Sequence, residues 1–390
     1  MGVYLNPGNG GFAEALRSKI YVDKTGLIAY TNEVLGTKQK NVCVSRPRRF
    51  GKSMAAEMLA AYYSRNWDSR ELFQGLEIAG DESFEAYLNQ CDVIFVNVQN
   101  FLSRAGSAEK MIDCMQEAIL EELREAFAGK INEEEKHLAT ALEKLYSEEQ
   151  AGFVFILDEW DCIFREKKNA VDVQTLYLDF LRNLLKDRMY VKLAYMTGIL
   201  PIKKYGTHSA LNMFDEFSMM NPGFLERFVG FTEEEVEELC ARFKMDFKEV
   251  QMWYDGYRFE ENVHIYSPKS VVDAMRRRRI GSYWTQTETY DALKIYIAMN
   301  FDGLKDAIVS MLGGNRCRIN PRTFQNDMTS FKQKDDVLTL LVHLGYLAYD
   351  SNRSEAYIPN REVEMEFTNA VEGAGWEEVI RTIEDSENLK

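Results

Sequence analysis

Four short apolar runs stand out in the first 200 residues, and each is continuous rather than alternating with polar positions. They lie at residues 41–45, 93–98, 153–158 and 192–198. β-Branched and aromatic side chains are frequent in them, which is typical of strands covered on both faces in a parallel sheet. We therefore predict four buried parallel strands.

The segments between these runs have the periodicity of amphipathic helices. Apolar residues recur at helical spacing in residues 52–64, 108–128, 133–145 and 171–187. Strands that alternate with helices form βα units, which favour a mostly parallel sheet. The pattern predicts an α/β fold for this part of the chain.

The pattern changes after about residue 230, where helices begin to dominate. A helical pattern at residues 335–344 is followed by an apolar run at 346–349, a polar turn and a second apolar run at 356–359. Helix, strand, turn and strand in this order are the outline of a winged-helix-like module. We predict two domains, residues 1–230 and residues 231–390.

Charge and composition narrow the function classes. Of 390 residues, 47 are Lys or Arg and 62 are Asp or Glu, which gives a formal net charge of −15. The negative net charge disfavours a protein that coats nucleic acid or an anionic membrane. Residues 276–279, however, are four consecutive arginines. The six cysteines lack metal-site spacing and are typical of reduced thiols in the cytoplasm.

Targeting signals are not evident in the sequence. The N-terminus has no basic start followed by an apolar run, so we expect no secretory signal peptide. The longest apolar stretch, residues 189–202, contains Lys192 and is too short to span a bilayer. We predict a cytoplasmic protein with no membrane partner.

The strongest motif is the run SRPRRFGKS at residues 45–53, between a predicted strand and a predicted helix. In a phosphate-binding loop at this position, backbone N–H groups surround the phosphates, Lys52 reaches the β- and γ-phosphates, and Ser53 binds Mg²⁺. Arg46 replaces the usual first glycine. The motif predicts ATP and Mg²⁺ as cofactors, with nucleotide contacts from Arg48, Arg49, Phe50, Gly51, Lys52, Ser53 and Met54.

A second signal lies at the end of the third predicted strand, where Asp158 and Glu159 follow an apolar run. There, Asp158 would hold Mg²⁺ together with Ser53, and Glu159 would polarise the water that attacks the γ-phosphate. Taken alone, an Asp-Glu pair is also consistent with a solvated loop or a helix cap. Together with the upstream loop, it favours nucleotide binding and hydrolysis.

Several motifs together resemble the AAA-ATPase-like family. They are YVDKT at residues 21–25, RPRRFGKS at 46–53, DEWD at 158–161, WYDGYRF at 253–259 and YWTQT at 283–287. An arginine in place of the first loop glycine is usual in that family, whereas Trp160 replaces a tyrosine. Members commonly carry a PD-(D/E)xK nuclease-like C-terminal domain, which we expect to be absent because no Pro-Asp dipeptide occurs.

The resemblance implies a three-layer P-loop NTPase fold in which an additional strand separates the phosphate-loop strand from the Asp158 strand. Residues 192–197 would form the additional strand. Thr197, at its end, would sense the γ-phosphate or the attacking water, since ligands bind outside the carboxyl ends of parallel strands. Its hydroxyl could instead cap a turn.

Two groups of basic residues leave alternatives open. A positive charge that reaches the γ-phosphate in a closed state could come from Arg227, Arg258, Lys203 or Lys204. The arginines at residues 276–279 suit the negative end of a helix, and they also suit a phosphate backbone or a protein partner.

We predict a Mg²⁺-dependent ATP-binding protein, an ATPase whose nucleotide cycle regulates a protein partner or a nuclease-like module. One alternative is a nucleotide-gated switch with slow turnover, and self-association is also open. Another is a nucleic-acid-binding module that uses the winged helix and residues 276–279. The net charge disfavours that last alternative.

Overall fold

The computed structural model describes residues 2–202, 211–259, 263–284, 289–299, 301–326 and 328–373. Two compact units divide the chain. The first unit comprises Met1–Ser45 and Lys52–Phe217, and the second comprises Arg46–Gly51 and Ser218–Lys390. The division at residues 230 and 231 stays a prediction.

A five-stranded parallel sheet forms the centre of the first unit. Its strands are β1 (Asn41–Ser45), β2 (Asp92–Asn97), β3 (Phe153–Asp158), β4 (Val191–Gly198) and β5 (Asp215–Phe217). Their spatial order is β2-β3-β4-β1-β5, and every neighbouring pair runs parallel. Strand β4 lies between β3 and β1, so the predicted additional strand is confirmed.

The helices of the first unit connect and cover these strands. They are α1 (Gly10–Arg17), α2 (Gly26–Val34), α3 (Lys52–Tyr63), α4 (Arg70–Phe73), α5 (Phe84–Tyr87), α6 (Val98–Arg104), α7 (Ala108–Ala126), α8 (Leu138–Glu149), α9 (Cys162–Glu166) and α10 (Val171–Leu185). Helix α3 packs against β3 and β4, which explains why most of its side chains are buried. The predicted α/β class is confirmed.

All six residues of β3 are buried, because strands flank it on both edges and α3 and α6 pack against it. In its parallel register, Leu157 pairs with Val96 of β2 and with Met196 of β4. Asp158, at the end of the same strand, is therefore held in a fixed position beside the ends of its neighbours.

One helix prediction was wrong at its start. The helix expected at residues 133–145 begins at Leu138 and extends to Glu149. Before it, a Glu135 carboxylate oxygen accepts the His137 backbone N–H at 2.7 Å, in a stretch of mostly exposed residues. Leu138 is the first buried side chain of α8 and anchors its start, whereas the charged stretch 133–137 has no apolar face to bury.

The second unit is mostly helical, as predicted. Its helices are α11 (Glu233–Phe243), α12 (Phe247–Tyr254), α13 (Pro268–Arg277), α14 (Thr289–Ile297), α15 (Leu304–Leu312), α16 (Lys334–Leu344) and α17 (Arg361–Gly373). Its strands are β6 (Phe231–Thr232), β7 (Tyr257–Arg258), β8 (His264–Tyr266), β9 (Cys317–Arg318), β10 (Ala348–Asp350) and β11 (Glu355–Tyr357).

In the described part of the second unit, the six short strands form two antiparallel sheets, ordered β6-β8-β7 and β10-β11-β9. Helix α16 precedes the β10–β11 pair, in which Tyr349 is opposite Ala356. This order of elements agrees with the sequence pattern, and its interpretation as a winged helix stays a prediction. Within the described part of the chain, no helix has the length and apolar character that a bilayer crossing requires.

Candidate nucleotide-binding site

Asp158 is the centre of a hydrogen-bonded cluster in the first unit. Its Oδ2 accepts the Ser53 hydroxyl at 2.8 Å and the Asn97 amide at 3.0 Å. Its Oδ1 accepts the Thr197 hydroxyl at 2.5 Å. The carboxylate is 1% exposed, and it joins the ends of β2, β3 and β4 to the first turn of α3.

The sheet order explains this convergence. Because parallel strands end at the same edge of the sheet, Asn97, Asp158 and Thr197 come together where their strands end or nearly end. Ser53 reaches the same edge from α3, which packs on β3 and β4. The sequence analysis predicted three of these four residues and missed Asn97. The available indication was that Asn97 is a polar residue within an otherwise apolar run.

Lys52, the first residue of α3, is only 4% exposed although it carries an ammonium group. Burial lowers the pKa of Lys52, and the nearby carboxylates of Glu159, Asp161 and Asp158 act in the opposite direction. The charged form of a buried lysine needs such partners. A cation beside three carboxylates is therefore built into the site.

Glu159 follows β3 with an unusual backbone conformation. Its backbone φ is 55°, in the left-handed region that residues other than glycine rarely adopt. Its Oε2 accepts a hydrogen bond from Arg165 Nη2 in an ion pair. Burial raises the pKa of Glu159, while the charges of Lys52 and Arg165 act against that shift. A strained backbone position at such a place is common in functional sites.

Arg165 and Asp161 hold the segment that follows Glu159. Arg165 Nε donates to Asp161 Oδ2 at 3.1 Å, and the same oxygen accepts the backbone N–H groups of Ile199 at 3.0 Å and Leu200 at 2.8 Å. This network ties α9 to the segment that leaves β4. The sequence pattern indicated no role for Arg165, although its position four residues after Asp161, at helical spacing, was a usable signal.

The segment Arg46–Gly51 groups with the second unit, directly before Lys52 in the chain. Arg46 is fully buried, with its guanidinium 5.1 Å from the centroid of the Phe259 ring. Phe50 is also buried and meets Tyr257 edge to face at 5.5 Å between centroids. Positive φ occurs at Arg49 (69°) and Gly51 (91°) and not at Arg46. Replacement of the first loop glycine by Arg46 therefore requires no left-handed backbone at that position.

The remaining predicted contact residues differ in exposure. Arg48, Gly51, Ser53 and Met54 are exposed, and Arg49 is partly exposed. Met54 lies in the first turn of α3 and is 45% exposed. These placements leave the nucleotide-binding assignments of Arg48, Arg49, Phe50, Gly51 and Met54 as predictions from the motif.

Asp23 and Trp160 belong to the sequence motifs that resemble the family, and each makes structural contacts. Asp23 accepts the backbone N–H groups of Thr25 at 2.8 Å and Glu77 at 2.7 Å, which orders a turn. Trp160 is buried, with its ring 5.6 Å from that of Phe164.

Residues 276–279 lie at the C-terminal end of α13, as predicted for the helix-end alternative. Lys203 and Lys204 lie outside the described residues, whereas Arg227 and Arg258 belong to the second unit.

The oxygen atoms around Asp158 fit the magnesium ion that the sequence motif implies. Mg²⁺ prefers oxygen ligands and keeps several waters, so it is usually held by one or two protein oxygens and by phosphates. The Ser53 hydroxyl and the Asp158 carboxylate, 2.8 Å apart, offer that combination. Asn97 and Thr197 orient the carboxylate through its two oxygens.

The parallel sheet has the order β2-β3-β4-β1-β5, with Lys52 and Ser53 after β1 and Asp158 at the end of β3. These features together define the class of P-loop ATPase folds. The family described as AAA-ATPase_like, Predicted AAA-ATPase, matches residues 12–207. Because that match covers half of the chain, the protein belongs to this family.

A curated relative and two solved structures are similar to this chain. The "Uncharacterized protein in vnfD 5'region" of Azotobacter chroococcum mcd 1 is 24% identical over 277 residues, which is 69% of this chain and 51% of that protein. The chain thus spans about half the length of that relative. The Walker-type ATPase PABY2304 of Pyrococcus abyssi superposes with a TM-score of 0.41 at 12% identity, over 88% of this chain and 94% of that one. The Aeropyrum pernix ORC2 protein, in ADPNP-ADP complexes, superposes with a TM-score of 0.38 at 12% identity, over 96% and 98%.

Proposed function

We propose that this protein binds ATP with Mg²⁺ and hydrolyses it to ADP and phosphate. The observation that carries the proposal is the Asp158 cluster, in which Ser53, Asn97 and Thr197 all donate to one buried carboxylate. That arrangement supports a role in ordering a cation and phosphates at the carboxyl edge of the sheet.

Each side chain of the cluster has a role in the proposal. Lys52 provides positive charge for the β- and γ-phosphates, and the N–H groups of the loop that ends at Gly51 surround them. Ser53 and Asp158 hold Mg²⁺, which when bound offsets negative charge on the phosphate oxygens. Arg48, Arg49, Phe50 and Met54 complete the proposed nucleotide contacts.

Hydrolysis needs a base near the γ-phosphate, and Glu159 is the proposed base. Its carboxylate accepts a proton from water as the water oxygen bonds to the γ-phosphorus and the bond to the β–γ bridging oxygen breaks. The leaving electron pair stays on ADP. Burial raises the pKa of Glu159, which increases its strength as a base. Thr197, bonded to Asp158, is the proposed sensor of the γ-phosphate.

A slow nucleotide-gated switch is the second candidate function, and the Glu159–Arg165 ion pair favours it. An arginine that holds the carboxylate lowers the basicity of Glu159 and competes with water for it. In this variant of the proposal, ATP binds well but is hydrolysed slowly until the pair opens.

Replacement of Glu159 tests the proposed hydrolysis. Glu159→Gln removes the base and keeps the size of the side chain, so phosphate release with Mg²⁺ and ATP should fall about 10²- to 10⁴-fold while ATP affinity is retained. The control is Glu166→Gln, an exposed glutamate of α9 that should behave as wild type.

The comparison of binding with turnover separates the candidates. Tight ATP binding with equally slow phosphate release in wild type and Glu159→Gln would support the switch and exclude hydrolysis by Glu159 while the ion pair with Arg165 is closed. Absence of ATP binding in the wild-type chain would exclude both.

The proposed use of the nucleotide cycle is to regulate a protein partner or a nuclease-like module. The resemblance to the AAA-ATPase-like family supports it. A nucleic-acid-binding role for residues 276–279 and the winged-helix-like region is the remaining alternative, favoured by four arginines at the end of α13. It requires DNA or RNA binding that weakens as salt increases.

A further inference from the structure

Three side chains with metal-ligating atoms meet in the second unit, away from the residues of the Asp158 cluster in sequence. Glu233 is the first residue of α11, Asp255 follows α12, and His264 begins β8. One ligand atom of each lies within 4.8 Å of the other two. The cluster therefore combines one imidazole and two carboxylates from three separate segments.

Distances within the cluster are short. His264 Nδ1 lies 2.7 Å from Asp255 Oδ2 and 3.5 Å from Glu233 Oε2. Ligands about 2.1 Å from a tetrahedral ion stand roughly 3.4 Å apart. The spacings in the cluster, 2.7 Å, 3.5 Å and at most 4.8 Å, lie around that value. The Glu233 side chain is 36% exposed and that of His264 is 19% exposed, which leaves room for water ligands.

Asp255 gives an independent indication that a positive ligand belongs here. Its side chain is only 9% exposed, and Oδ2 is the oxygen that meets His264. Its Oδ1 is buried and has no hydrogen-bond partner among the residues that the structure describes. A buried carboxylate with one unpartnered oxygen is costly, and a cation bound by this carboxylate would offset that cost.

Neighbouring donors orient the second carboxylate. Gln251 Nε2 donates to Glu233 Oε2 at 2.9 Å, and the Tyr266 hydroxyl donates to the same oxygen at 3.2 Å. Metal-ligating carboxylates commonly have such outer hydrogen bonds, which fix their orientation. The capping box formed by Thr232 and Glu235 fixes the start of α11, where Glu233 lies.

We infer that Glu233, Asp255 and His264 bind one divalent transition-metal ion, with zinc as the best fit. A set of one nitrogen and two oxygen ligands suits Zn²⁺, and it contains no thiolate that would favour Cu(I) or an iron–sulfur cluster. Water completes the coordination on the exposed side. The site is distinct in chemistry from the oxygen-only Ser53–Asp158 pair, which suits Mg²⁺.

Basic side chains offer a competing explanation for the charge of Asp255. Asp255 also borders a polar cavity of about 390 Å³ whose lining includes Lys248, Arg258 and Arg316. Arg316 is paired with Asp350 at 2.8 Å. If Lys248 or Arg258 supplies the counter-charge in solution, the cluster should bind no metal, so metal binding distinguishes the two explanations.

Cobalt substitution tests the inference directly. The full chain, treated with chelator and carrying Asp158→Asn to weaken the proposed magnesium site, is titrated with Co²⁺ and then with Zn²⁺. We expect one Co²⁺ to bind per chain and to show the visible absorption bands of a Co²⁺ ion with a low coordination number. These bands should disappear when Zn²⁺ displaces Co²⁺. Zn²⁺ should also raise the thermal unfolding temperature.

Two ligand variants and one control complete the test. His264→Gln and Glu233→Gln should each weaken Co²⁺ binding by at least about tenfold, and His137→Gln, an exposed histidine elsewhere, should not. Because Glu233 is partly exposed, its variant should fold even if His264→Gln does not. Unchanged Co²⁺ affinity in Glu233→Gln would overturn the inference. So would the absence of bound Co²⁺ in the chain that carries only Asp158→Asn.

Discussion

Two buried aspartates, one in each unit, differ in how their charge is satisfied. Asp158 accepts hydrogen bonds from the neutral donors Ser53, Asn97 and Thr197 on both oxygens. Asp255 meets His264 through one oxygen, and the other oxygen has no partner among the described residues. Similar burial can therefore serve different chemistry, because the neighbouring hydrogen-bond donors decide which cation suits each carboxylate.

The positions of the two aspartates explain the difference. Asp158 ends a central strand, where the ends of neighbouring strands supply donors from a fixed register. Asp255 follows a short helix, and its neighbours come from a helix start and from a short antiparallel strand. The first arrangement suits a hard ion shared with phosphates, and the second suits an ion held by nitrogen and oxygen ligands.

The largest expected effect that separates the two sites is that of Lys52→Ala. A charge-assisted hydrogen bond is worth about 1.5–3 kcal/mol, so loss of the ammonium should weaken ATP binding by about 10- to 100-fold. Co²⁺ binding at Glu233, Asp255 and His264 should persist. Calorimetry measures both, and Lys110→Ala, an exposed lysine of α7, is the control. Unchanged ATP affinity would exclude the site assignment.

A change in the pH profile is the next largest expected effect. Turnover needs the Glu159 carboxylate, so it should decline as the pH falls through the pKa of that group, which burial raises. Arg165→Gln removes a positive charge that lowers this pKa, so the acidic limb should move to higher pH. Arg182→Gln, an exposed arginine of α10, is the control.

The phosphate-release rate against pH measures this shift. Circular dichroism must first show that Arg165→Gln is folded, because Asp161 loses one of its hydrogen-bond donors. If the phosphate-release rate declined at the same acidic pH in Arg165→Gln and in wild type, the proposed role of the ion pair would be contradicted.

The smallest expected effect concerns Thr197. Thr197→Val removes the donor to Asp158 Oδ1 and leaves a buried oxygen unsatisfied, which should lower the free energy of unfolding by about 1–3 kcal/mol. Thr197→Ser keeps the hydroxyl and should lose less. Urea denaturation measures both, and equal losses would indicate that packing rather than the hydrogen bond matters.

Much of the first unit was predictable from sequence. Buried parallel strands are continuous apolar runs, so β1 and β3 were located to the residue and β2 and β4 to within one residue. The short strand β5 was not predicted, since three residues that include Asp215 and Glu216 carry no apolar run. The start of α8 was also misplaced, because charged residues imitate a helical face without burying one.

The site was predicted less completely. Ser53, Asp158 and Thr197 follow from the phosphate loop and from strand ends, so their meeting was expected. The Glu159–Arg165 pair depends on a backbone turn with positive φ at Glu159, which no spacing rule gives for glutamate. The Glu233–Asp255–His264 cluster joins three segments whose approach is set by tertiary packing, and no sequence motif indicated it.

The most direct test of the central claim is a crystal structure of the chain with Mg²⁺ and a non-hydrolysable ATP analogue. We expect Lys52 at the β- and γ-phosphates, with Mg²⁺ bound through Ser53 and Asp158 and with Glu159 facing the γ-phosphate. Nucleotide bound away from Lys52, or a magnesium ion without contact to Ser53 or Asp158, directly or through water, would contradict it.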